Sequence, residues 1–99
     1  METSIVTKQK NKAKMKKPKN YKVVMYNDDY TTMEFVINIL VGVFNKKNEE
    51  AEKIMLDIHE RGKGVAGIYS HDIAITKVST AMSMAKEQGF PFKLTVEEA

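Results

Sequence analysis

Two glycine-bearing breaks, Gly62-Lys63-Gly64 and Gly89-Phe90-Pro91, constrain what this chain can fold into. Each closes a stretch whose apolar residues recur at helical spacing, and a short β-like run follows each of them. A third β-like run, Tyr21 to Tyr26, is rich in β-branched and aromatic residues and ends at Asn27-Asp28-Asp29, a cluster that marks a turn. Chain order therefore begins and ends on a strand, with the helices between.

The intervening segments fill in the order. Thr31 with Glu34 three positions on fits a capping box, and Met33, Val36, Ile37, Leu40, Val41 and Phe44 mark one helical face ending near Asn45. Asn48 is placed to cap a second helix, with Glu49 and Glu50 at the positive end of its dipole and Ala51, Ile54, Met55 and Ile58 as its buried stripe. Val65 to Tyr69 reads as the second strand, in which Gly67 suggests a bulge. Ser70 precedes the longest helical pattern, His71 to Gln88, with Ile73, Ile75, Val78, Ala81, Met82 and Ala85 apolar, and Phe92 to Val96 forms the last strand. The expected architecture is α+β: a single β-α-α-β-α-β domain over residues 21–99, with a three-stranded, mainly antiparallel sheet and three helices on one face.

At 99 residues and 42% hydrophobic content the chain suits one small core. The absence of cysteine excludes a disulfide framework, a thiol nucleophile and the usual structural zinc sites. No apolar run is long enough to span a bilayer, so a cytoplasmic protein without a membrane partner is expected. The net charge of +3 is uneven: residues 1–20 carry seven Lys and one Glu, leaving nine basic and twelve acidic side chains in residues 21–99. The Lys-rich segment reads as a flexible extension, equally compatible with a solvated tail and with a tether that touches a partner. The domain itself is mildly acidic, which argues against nucleic acid as its partner.

The Asn27-Asp28-Asp29 junction places an amide and two carboxylates between a strand and a helix, a set of acceptors suited to a small cation. The same residue types make ordinary turns, and local chemistry alone favours that reading. His59 lies beside the apolar stripe at the end of the second helix; a histidine there is commonly a dipole partner, but a neutral ring adds a lone-pair acceptor. Met25, Met33 and Met55 come from three successive elements and suit either a core or an adaptable pocket. Ser70-His71, the one adjacent nucleophile and base, diverges at a helix start, so no enzyme is expected. Ligand spacing for a metal and a phosphate-binding glycine loop are both missing, so no metal or cofactor is expected.

The run Tyr21-Lys22-Val23-Val24 through Asn27-Asp28-Asp29-Tyr30-Thr31 and Met33-Glu34-Phe35-Val36 resembles the ClpS family, adaptors of the bacterial Clp protease. Met55, His59, Gly62, Lys63 and Gly64 resemble that family's second helix and turn, Thr76-Lys77-Val78 its third helix, and Pro91 to Ala99 its terminal strand. The resemblance covers about 80 residues and implies a fold like the C-terminal domain of the ribosomal stalk protein. It also implies a module for N-degrons, proteins whose first residue is a bulky Leu, Phe, Tyr or Trp, which are passed to the N-terminal domain of a Clp-family AAA+ unfoldase. By that resemblance Asn27, Asp28, Asp29 and His59 form the α-amino-binding group, Asp28 supporting an acidic mouth. Met25, Tyr26, Thr31, Met33, Val36, Met55, Ile58 and Phe92 wall the apolar pocket, with Met33 excluding β-branched side chains. Asp72 and Lys77 match unfoldase-facing positions. Tyr26 and Phe92 are bulkier than the aliphatic residues common in the family, which points to a narrower pocket. A monomer is expected. The alternative is a ribosome- or nucleic-acid-associated module that uses the basic tail.

Overall fold

β1 (Tyr21–Tyr26) is the middle strand of the sheet, as its burial suits: Val23, Val24 and Met25 are all buried. The computed structural model describes residues 18–99; the expected extension over residues 1–20 lies outside them up to residue 17. The elements that follow are α1 (Met33–Gly42), α2 (Asn48–Arg61), β2 (Lys63–Tyr69), α3 (His71–Gln88) and β3 (Lys93–Glu98). Sheet order is β2-β1-β3, and both pairings are antiparallel rather than only mainly so.

Pairing with β2 runs from Tyr21 opposite Tyr69 to Val23 opposite Gly67, then resumes with Val24 opposite Val65, so Ala66 is the extra residue of a bulge. Gly67 lets the Tyr69 ring lie over the strand: a Cβ at this position would meet that ring and displace it. Val23 and Met25 point to the face that receives the helices, where Phe35, Ile39, Leu40, Ala51, Ile58, Ala74, Ala81 and Leu94 complete one cluster. Phe35 packs edge-on against Phe90 and Phe92, with ring centroids 5.1 and 6.1 Å away.

The helix starts and stripes differ from expectation in instructive ways. Thr32, not Thr31, caps α1, its Oγ1 accepting the Phe35 N–H at 3.1 Å. Thr31 is unavailable because its hydroxyl donates to Asp28 Oδ2 at 2.7 Å. The α-helical ladder of α1 ends at Gly42, earlier than expected, and the chain turns at Asn45, which adopts a left-handed φ of 59°. The buried face of α1 is Phe35, Val36, Ile39 and Leu40; Met33 and Val41 are largely exposed. Lys47 occupies the cap position of α2, making Asn48 its first helical residue. On α3 the buried residues are Ala74, Ala81 and Ala85, while Ile73, Ile75 and Met82 face outward. Small side chains let α3 lie close on the sheet, so the larger residues flank the contact instead of filling it.

Candidate functional site

β1 delivers the chain to Asn27-Asp28-Asp29-Tyr30, and one side chain shapes that junction. Asp28 Oδ1 accepts the N–H groups of Tyr30 at 2.8 Å and Thr31 at 2.7 Å, while Oδ2 takes the Thr31 hydroxyl. Partial burial pushes the Asp28 carboxyl pKa up, but the hydrogen bonds from Thr31 and Tyr30 outweigh it and hold the pKa below the ordinary carboxylate value. Asp28, expected among the amino-binding groups, is thus the internal brace of the loop, and its two oxygens face the chain's own donors.

The far side of the site comes from α2. That helix ends at Gly62, whose φ of 90° suits glycine and whose N–H donates to the Ile58 carbonyl at 2.9 Å. The Gly62 carbonyl in turn accepts the Asn27 N–H at 2.9 Å. This bond brings the end of β1 beside the last turn of α2, which carries His59. Two residues on, Gly64 allows β2 to start against the helix: a Cβ there would stand 3.0 Å from Ile58 Cγ1 and 3.3 Å from the Ile54 carbonyl.

Between these elements lies a cavity of about 440 Å³ lined by Asn27, Asp28, Asp29, Tyr30, Thr31, Thr32, Met33, Val36, Met55, Ile58 and His59. Its lining combines the Asn27 amide, the Asp29 carboxylate and the His59 imidazole with the thioethers and branched aliphatics of Met33, Val36, Met55 and Ile58, while the Asp28 carboxylate, also in the lining, is engaged by the loop's own donors. Neither Lys nor Arg lines it, so its field is negative. An arrangement of this kind accepts a small cation attached to an apolar side chain. Among the described residues no group of three or more His, Asp or Glu side chains is arranged to hold a metal ion.

Three residues expected in the pocket wall stand elsewhere. Met25 and Phe92 are buried in the hydrophobic core and are not among the cavity's lining residues. Tyr26 occupies the opposite face of the sheet from Met25, as strand alternation requires, with its hydroxyl 3.2 Å from both Thr95 Oγ1 and Glu97 Oε2 and Lys93 Nζ 4.8 Å from its ring centroid. Its bulk therefore does not narrow the cavity. Tyr30 and Thr32 line the site without having been singled out; their adjacency to the Asn-Asp-Asp run was the available signal.

The two positions matched to an unfoldase surface differ in character. Asp72 is fully exposed at the start of α3, 3.8 Å from the His71 imidazole. Lys77 is anchored: its Nζ donates to the Val43 carbonyl at 2.6 Å and to Asn45 Oδ1 at 3.0 Å, and sits 5.4 Å from the Tyr69 ring centroid. It closes the end of α1.

The ClpS family model, ATP-dependent Clp protease adaptor protein ClpS, matches residues 16–95. The chain belongs to the ClpS family. The ATP-dependent Clp protease adapter protein ClpS of Clostridium acetobutylicum is 51% identical over 98 residues, covering 99% of this chain and 97% of that protein. Its counterpart from Desulforapulum autotrophicum is 52% identical, covering 92% and 91% respectively. Among solved structures, Agrobacterium tumefaciens ClpS2 bound to L-phenylalaninamide superposes with a TM-score of 0.80 at 40% identity, covering 84% of this chain and all of that one. As a ClpS protein the chain is an adaptor of the Clp protease and not an enzyme. None of the described helices is long and apolar enough to cross a membrane.

Proposed function

We propose that this ClpS protein binds polypeptides through a free N-terminus bearing a bulky hydrophobic first residue, Leu, Phe, Tyr or Trp, and delivers them to a AAA+ Clp unfoldase. The observation that carries the reading is the single cavity in which Asn27, Asp29 and His59 stand beside Met33, Val36, Met55 and Ile58. The ligand of the Agrobacterium relative, an amino-acid amide with a free amine and an aromatic side chain, has both chemical parts that such a cavity accepts.

A free α-amino group has a pKa of about 8 and is mostly an ammonium with three hydrogens at neutral pH. An internal peptide nitrogen is neutral and carries one. Asn27 supplies a carbonyl oxygen, Asp29 a carboxylate and His59 a ring nitrogen, so a chain terminus satisfies three acceptors where an internal residue leaves two empty. Each buried polar group left without a partner costs about 1 to 3 kcal/mol, which discriminates against acetylated or internal residues. Burial of a Leu or Phe side chain contributes a comparable amount, about 1.5 to 3 kcal/mol. Head group and side chain are therefore both needed for tight capture.

Fluorescence anisotropy with peptides beginning Leu or Phe, compared with their N-acetylated forms, tests the binding step; equal affinity for both forms would refute it. For delivery, degradation of a Leu-initiated reporter by the Clp unfoldase and peptidase should depend on this protein and fall on Asp72→Ala, with peptide affinity retained. Equal degradation with and without the adaptor would remove the delivery step.

A further inference from the structure

We infer that the groove between α3 and the free edge of β3 takes an extended, acidic segment of a partner protein, added to the sheet as a fourth strand. β3 pairs only with β1, so among the described residues its other edge carries no strand. The pairing fixes which groups that edge presents. The Ala99 N–H donates to the Asn20 carbonyl at 2.9 Å, in register with Tyr21 opposite Glu98. Antiparallel ladders alternate, so Lys93, Thr95 and Glu97 turn their N–H and C=O groups to β1, while Leu94, Val96 and Glu98 turn theirs outward. Those outward groups are what an added strand pairs with.

A groove of about 810 Å³ lies beside the start of that strand, walled by Ser79, Met82 and Lys86 of α3 and by Phe90, Phe92 and Lys93. On the opposite flank of α3, Lys77 reaches the Tyr69 ring of β2, so the flank with Met82 and Lys86 faces the other end of the β2-β1-β3 order. Ile75 shares the Met82 face, and both side chains are nearly half exposed. Lys86 back to Ile75 spans about 16 Å of helix, and Lys93 to Glu98 about 16 Å of strand, so the two walls run the same length. A segment paired with the β3 edge would therefore lay alternate side chains against Met82 and Ile75, the arrangement by which an open edge beside a helix holds extended peptides.

Charge selects the occupant. Residues 21–99 carry twelve acidic and nine basic side chains, yet the groove is lined by two lysines and no acid. Among the described residues neither Lys86 nor Lys93 forms an ion pair, and the Lys93 ammonium stands over the Tyr26 ring. At the far end of β3, Glu98 already pairs with Lys19 at 3.0 Å. An apolar run with Asp or Glu at the end nearest Lys86 answers this pattern, whereas the Lys-rich residues 1–17 of the same chain carry the opposite sign.

The experiment follows backbone amide exchange in the full chain, alone and with acetylated peptides that join a Val-Thr-Val-Thr-Val run to Glu-Glu or Lys-Lys at either end. The Glu-Glu peptide should slow exchange at Leu94, Val96 and Glu98, leave Thr95 and Glu97 unchanged, and bind about fivefold more tightly than the Lys-Lys peptide. Lys86→Glu should reverse that order, and Pro in place of the central Val should abolish binding. Equal affinity for the two peptides, or binding without slower exchange at those three amides, overturns the inference. So does slow exchange there without peptide, whether it grows with protein concentration, as a second copy requires, or disappears on removing residues 1–17, as this chain's own segment requires.

Discussion

The Asn27 N–H donates to the Gly62 carbonyl at 2.9 Å, and this one bond ties the junction after β1 to the end of α2. Residues 27 and 59 are far apart in sequence, but each lies within three positions of one end of the bond. The acceptors of the candidate site are therefore held together by backbone, independently of any bound ligand. The loop on the Asn27 side is braced separately by Asp28, so the site has a fixed frame before a substrate arrives.

Asp29→Ala should weaken binding of a free-amine peptide by about tenfold or more, the loss of one charge-assisted hydrogen bond worth roughly 1.5 to 3 kcal/mol. Binding of the acetylated peptide should barely change, so the gap between the two forms closes. Anisotropy titrations of both peptides measure this directly.

Met33 is 46% exposed, so its truncation removes little from the core. If it guards the cavity against β-branched side chains, Met33→Ala should admit peptides beginning Ile or Val while lowering stability by less than about 1 kcal/mol. Unchanged rejection of Ile and Val would assign that selectivity elsewhere.

Asp28 provides a pH signature. Its native carboxyl lies below the ordinary value, so the unfolded chain takes up the proton first as pH falls. The stabilisation is fully present above the unfolded value of about 3.9 and is lost as pH drops through the lower native one. Urea midpoints should show the wild type ahead of Asp28→Asn near about pH 6, with the gap closing toward about pH 2. A gap independent of pH would mean that the charge on Asp28 does not stabilise the loop.

Lys77→Ala should cost stability, because the 2.6 Å bond to the Val43 carbonyl and the 3.0 Å bond to Asn45 close the end of α1. Partial exposure reduces the expected loss to about 1 kcal/mol, read as a shift in the thermal midpoint. A side chain that served only to meet a partner would leave the midpoint where it is.

Element order and the four helix and strand boundaries near glycine were legible in the sequence, since Gly62 and Gly89 end their helices with a left-handed φ that few other residues adopt. The helix faces were less so. Along α3, isoleucine at 73 and 75 outweighs alanine on any hydrophobicity scale, but the close approach to the sheet selects Ala74, Ala81 and Ala85. The α1 cap shifted by one residue for a similar reason: two threonines compete, and the side chain of Asp28 engages the first.

The sequence by itself determined the α+β order, the acidic junction and the family resemblance, because these depend on local periodicity, turn chemistry and residue identity along the chain. Tertiary structure decided which side chains share the site. Strand alternation turned Tyr26 away to the far face, core packing took Met25 and Phe92, and the junction's meeting with α2 added Tyr30 to the rim. Such placements follow from which faces are covered when separate elements pack, and no window of sequence contains that information.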